Sequence, residues 1–131
     1  MHIETSKKIV AKSQKEVFEF LSDLQNFEQL MPESISKFEV LNEDRFLFQL
    51  SGMPEIVLER KQQSPDHQIV LGAASEKLPF TLTTDINTFG EEQSEVALSF
   101  NGEFNAMMGM MVKTPITNFI NTLSENLSRI A

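Results

Sequence analysis

The sequence predicts an α+β fold: a curved antiparallel sheet around one long C-terminal helix, with two short helices after the first strand. Three observations predict it. Phe80, Leu82, Thr84 and Ile86, and later Val96, Leu98, Phe100, Gly102 and Phe104, alternate with polar neighbours, the period of strands with one wet face. From Thr114 to Ile130, the apolar residues Ile116, Phe119, Ile120, Leu123, Leu127 and Ile130 recur at helical spacing, with asparagines, Glu125 and Ser128 largely opposite. Between Ser13 and Pro32, two cap signals each precede a short helical pattern.

The elements follow in order. Ile3 to Lys12 reads as a strand with Ile3, Thr5, Ile9 and Ala11 on one face and lysines between them. Ser13 and Glu16 form a capping-box pattern for a helix that carries Val17, Phe18 and Leu21 and stops near Ser22. Asp23 caps a second short helix bearing Leu24, Phe27, Leu30 and Met31, which Pro32 ends. Strands are then predicted over 35–41, 45–51, 55–62, 67–73, 80–89 and 94–104. Asn42-Glu43-Asp44, Gly52-Met53-Pro54, Ser64-Pro65-Asp66 and Gly90 separate four of their junctions. Gly102, between Phe100 and Phe104, leaves room for a bulge, a bend or a close neighbour, or merely tolerates its local geometry. The last helix starts with Thr114 as cap and Pro115 at its first position, where no N–H is needed. It spans about 24 Å, and burying its apolar face is worth on the order of 10 kcal/mol gross.

Composition narrows the function. The 131 residues suit a single domain, 1–131, able to bury its own core. With no cysteine, disulfides and thiolate metal sites are excluded, and a cytoplasmic location is expected. A net charge of −8 disfavours nucleic acid and anionic lipid. No stretch is apolar enough to span a membrane. All eleven aromatics are Phe, so no aromatic hydroxyl or indole N–H can orient a polar guest.

One strand, two short helices ending in Leu30-Met31-Pro32, a run of antiparallel strands and one long helix: this order resembles the START-like superfamily, also called SRPBCC or Bet v 1-like. The run from Glu16-Val17-Phe18-Glu19-Phe20-Leu21-Ser22-Asp23 through Asn26-Phe27 to Met31-Pro32 is similar to that family's opening. The resemblance implies a helix-grip fold with a cavity between sheet and long helix. Its members bind lipids, sterols, quinones, polyketides or plant hormones, and some are cyclases or dehydratases. The glycine-rich loop of the plant allergen branch would fall at Asn42-Glu43-Asp44, where there is no glycine, so phosphate contacts by that loop are not supported.

The cavity expected on this basis draws Phe48, Leu58, Arg60, Phe80, Leu82, Thr84, Phe100 and Phe104 from the sheet. Met107, Met108 and Met111 come from the link before the helix, and Ile116, Phe119, Ile120 and Leu123 from the helix itself. Arg60 has two readings: an inward guanidinium that holds a carboxylate or phenolate, or a stem on apolar surface with its head in water. The methionine cluster has three: a soft gate or wall, a core-filling link, or a homodimer contact that covers an apolar patch. His2 and His67 are far apart in sequence, and no nucleophile–base set appears, so neither a catalytic constellation nor a metal or cofactor is predicted. The expected function is binding of an apolar small molecule: a lipid, fatty acid, quinone or polycyclic compound. The alternatives are an interaction module that fills its cavity with its own phenylalanines and an enzyme of the polyketide cyclase or dehydratase type.

Overall fold

A computed structural model describes residues 1–51, 53, 55–74 and 79–130. Eight strands form one antiparallel sheet: His2–Glu4 (β1), Lys8–Val10 (β2), Ile35–Asn42 (β3), Arg45–Leu50 (β4), Ile56–Ser64 (β5), Gln68–Ala73 (β6), Phe80–Thr88 (β7) and Ser94–Gly102 (β8). The order is β1-β8-β7-β6-β5-β4-β3, with β2 also on β8. The helices are Gln14–Ser22 (α1) and Ala106–Ser128 (α2), with a 3-10 helix over Leu24–Leu30. This is the helix-grip arrangement that the sequence predicts, and each strand from β3 to β8 lies within two residues of its expected bounds at either end. Gly52 and Pro54 of the expected chain break lie outside the described residues.

Local chemistry sets the entry to the core. The Ser13 hydroxyl accepts from the Glu16 N–H and the Glu16 carboxylate from the Ser13 N–H, both at 3.2 Å, so the predicted capping box starts α1. The Asp23 carboxylate accepts from the Gln25 N–H at 3.1 Å and starts the 3-10 helix. Val17, Phe18 and Leu21, then Leu24, Phe27 and Leu30, go into the core.

The first strand differs from its expected form. Ile3 pairs with Phe100 and Glu4 with Ser99, but Lys8 pairs with Val96, a slip of one residue between β1 and β2. At the slip, the Thr5 hydroxyl stands in for backbone and accepts from the Leu98 N–H at 3.0 Å. A one-residue slip reverses which side chains face inward. Val10 is therefore fully buried, and Ile9, expected inside, is exposed.

The long helix is also corrected. It begins at Ala106, capped by Asn105, whose side-chain oxygen accepts from the Met108 N–H at 2.8 Å. Its 23 residues span about 34 Å. Pro115 lies inside it rather than at its start. Thr114-Pro115 has the chemistry of a helix start, yet Asn105 followed by Ala106, Met107 and Met108, all but the cap good helix formers, supplies an earlier one. Among the described residues, no helix is long and apolar enough to cross a membrane.

Candidate functional site

Inward residues of the sheet meet α2 along two groups of phenylalanines. At the β3–β4 side, Phe46 stacks on Phe27 at 5.2 Å and lies 6.0 Å from Phe48, which stacks on Phe119 of α2 at 4.9 Å. At the end where β7 begins and β8 ends, Phe80 stacks on Phe100 at 5.0 Å, and Phe104 lies 6.2 Å from Phe100. Gly102 belongs to this second group through close approach. A Cβ there would sit 2.7 Å from the Phe104 ring and 3.2 Å from the Phe100 ring, so its missing side chain is what admits Phe104.

Between the second group and α2 lies a small void of about 20 Å³, lined by Met53, Ile56, Phe80, Phe100, Phe104, Val112 and Ile116. Its surroundings are hydrocarbon and thioether. On the far side of Phe80 lies a much larger open groove of about 700 Å³, bordered by His2, Lys61, Ala73, Thr81, Asn101 and Glu103 as well as by Phe80 and Gly102. Phe80 thus forms a wall of both spaces. A third space, a notch of about 260 Å³, runs along the other flank of α2 between Leu50, Pro115 and Phe119.

The predicted cavity residues separate into three sets. Phe80, Phe100, Phe104 and Ile116 line the void. Phe48, Leu58, Leu82, Thr84, Ile120 and Leu123 are buried but sit in filled core, and Phe119 faces the notch. Arg60, Met107 and Met111 lie elsewhere. With the helix starting at Ala106, Met107 and Met111 fall on its outer face, 75% and 68% exposed. Met108 packs, half-buried, against the core.

Arg60 follows the inward parity of β5, but it lies at the strand's far end and meets backbone rather than cavity. Its guanidinium donates to the carbonyls of Ser22 at 2.6 Å and Glu43 at 3.0 Å and to the Gln63 side chain at 3.1 Å. Its Nε lies 3.6 Å from Asp44. The side chain ties the end of α1 to the β3–β4 turn. This corrects both readings of Arg60, because its head is neither in the cavity nor free in water.

Sequence reasoning missed Met53, Ile56 and Val112. Ile56 shares the inward parity of Leu58 and was legible. Val112 lies one turn before Ile116 and was lost with the misplaced helix start. Met53 sits outside any periodic run, so no pattern marked it.

Charged groups stay at the rim. Hydrogen bonds to Asn101, and then to Glu4, raise the His2 imidazole above its ordinary pKa. Lys61, and then Arg45, donate to Glu59 and hold its carboxylate below the ordinary value. His67 is exposed and lies 3.4 Å from Gln14. The buried polar side chains among the described residues, Thr5, Thr84, Ser94 and Ser124, are not among those lining the void.

No family model matches this chain, and no curated protein matches it. Solved structures do. A START superfamily protein from Mycobacterium smegmatis aligns with a TM-score of 0.75 at 15% identity, over 97% of this chain and 94% of that one. Norcoclaurine synthase from Thalictrum flavum, in complex with dopamine and hydroxybenzaldehyde, aligns with a TM-score of 0.77 at 13% identity, over 98% and 84%. A conserved protein from Geobacillus kaustophilus aligns with a TM-score of 0.65 at 14% identity, over 98% and 96%. The chain has a START-like, or Bet v 1-like, fold.

Proposed function

We propose that the protein binds an apolar small molecule between Phe80, Phe100 and Phe104 and the first turns of α2, and that the described conformation is the closed one. The observation that carries this reading is the position of Phe80. It is half-buried at the start of β7, with the wholly apolar void behind it and the open groove in front. Rotation of this one ring would join the two spaces. The groove's about 700 Å³ lies within the range of roughly 300–1,000 Å³ that small-molecule sites occupy. The joined site would have an apolar floor and a polar rim, which suits a lipid, fatty acid, quinone or polycyclic compound. The same fold holds two small aromatic molecules in the norcoclaurine synthase complex. The void's lining offers no group to take up a proton, which supports binding over acid–base catalysis.

Native mass spectrometry of freshly purified protein and titration with a fluorescent fatty acid test the reading. Phe80→Ala is expected to raise the probe's association rate about tenfold, because the ring no longer has to move before entry. Absence of any co-purified molecule, with no probe binding by either protein, overturns the proposal.

One observation favours a second reading. The void's about 20 Å³ has room for about one water and is far below the roughly 300 Å³ at which small-molecule sites begin, so the phenylalanines fill the grip. The protein would then be an interaction module. In that case Phe80→Ala lowers stability without creating any uptake of the probe.

A further inference from the structure

We infer that the outer face of the first turns of α2 is a docking surface for a second copy of this chain. Met107, Met110 and Met111 are 75%, 83% and 68% exposed and stand together on the side of α2 away from the sheet. They fall within five residues of helix, so they form one short apolar patch about 8 Å long. Thr114, Asn118 and Asn121 continue the same face, exposed and uncharged.

Charge selects the occupant. The chain carries 19 acidic residues, yet from Phe104 to Ser124 there is no Asp or Glu, and Lys113 is the single charge. A basic partner would be met by carboxylates here, and there are none. An anionic surface would be met by several cations, and it would face one lysine backed by a body of net charge −8. A second copy needs an apolar patch that tolerates itself and carries no like charge to repel its twin. This face meets the first condition and, with Lys113 as its single charge, comes close to the second. A two-fold axis through the patch places each methionine cluster against the same cluster of the partner, and methionine's flexible thioether repacks readily against itself.

The patch also fixes the expected strength. Three side chains cover less than the about 800 Å² per partner of a standard interface, so association is weak and concentration-dependent. Because two bodies of like net charge approach, added salt tightens it.

Sedimentation equilibrium of the full chain over micromolar to millimolar concentrations tests the inference. The expected mass rises from one chain towards two, and rises further at high salt. Met110→Asp, at a site too exposed to disturb the core, is expected to weaken association at least about tenfold. Met110→Leu is expected to preserve it. Thermal unfolding monitored by circular dichroism confirms that both variants fold. A single-chain mass at every concentration and salt overturns the inference, as does an aspartate variant that dimerises like the parent. So does a single-chain protein that floats with phosphatidylcholine vesicles and loses this behaviour in Met110→Asp, which would assign the face to a lipid surface.

Discussion

Replacing Arg60 with Met distinguishes a structural tie from a ligand anchor. Methionine keeps an apolar stem of similar reach, so the packing of the Arg60 methylenes is largely preserved, while all guanidinium bonds are removed. The bonds at issue run to the carbonyls of Ser22 and Glu43 and to the side chain of Gln63. A hydrogen bond from a charged donor contributes about 1.5–3 kcal/mol net, and partial solvent access lowers this. The Gln63, Asp44 and Glu43 partners are exposed, so their share is small. The part-buried Ser22 carbonyl carries most of the effect, and the expected loss is about 1.5–3 kcal/mol. That is a large part of a domain stability of roughly 5–15 kcal/mol. In a chain of this length it corresponds to a drop in melting midpoint of roughly 10 °C. Urea unfolding gives the free energy directly, and a parallel titration with a fluorescent fatty acid reads ligand binding. The structure requires a lower urea midpoint and unchanged probe affinity in the fraction that remains folded. A parental midpoint with lost affinity for a carboxylated probe would refute the argument, since the guanidinium would then be serving a ligand.

Two further outcomes are expected. Pro115→Ala restores the N–H that a continuous α2 lacks at Met111 C=O and is expected to raise stability by about 1–3 kcal/mol in urea unfolding; a helix that truly began at Thr114-Pro115 would gain nothing from it. The Glu59 carboxylate, held below its ordinary value of 4.5 by hydrogen bonds from Lys61 and Arg45, contributes stability that is present above that value and lost as pH falls through the lower folded one; the parent should therefore lose more stability than Glu59→Gln between pH 6 and pH 3, measured by urea unfolding at each pH.

How much of this was legible depended on whether a feature was local. Strands β3 to β8 were legible because alternation and turn residues are both written within a few positions, and nothing distant had to be known. The capping box at Ser13 and the Asp23 cap were legible for the same reason. The slip between β1 and β2 was not. It depends on the Thr5 hydroxyl meeting the Leu98 N–H, 93 residues away, and a parity read from the N-terminal sequence alone continues Ile3 wrongly to Ile9. Arg60 shows the same limit: parity gave its face, but only the arrival of Ser22 and Glu43 at the end of β5 decides what it bonds. At α2 two local signals competed. Asn105 and Thr114 are both acceptable caps, and the helix nucleus lies at the first because Val112 gains burial there. A proline ten residues into a helix costs stability, and packing of the flanking turns has to offset it.

That competition divides α2 into two unlike halves. Beyond Pro115, Ile116, Phe119, Ile120, Leu123 and Leu127 are buried, and the Asn126 amide donates to the Leu30 carbonyl at 2.9 Å, bolting the helix to the 3-10 turn. Before Pro115, Val112 is the one buried side chain of α2 among the described residues, Met108 is half-buried, and three methionines face solvent. The break in the hydrogen-bond ladder falls at the boundary. Local opening costs least where few apolar contacts must be given up, so movement of α2 is concentrated in the half that covers the void and Phe104. A guest of any useful size requires more space than the void of about 20 Å³, and this half is where the fold can yield it while the core around Phe46, Phe48 and Phe119 stays shut. The packing that makes the C-terminal half a firm support is therefore the reason that the proposed binding is confined to the end that holds Phe80.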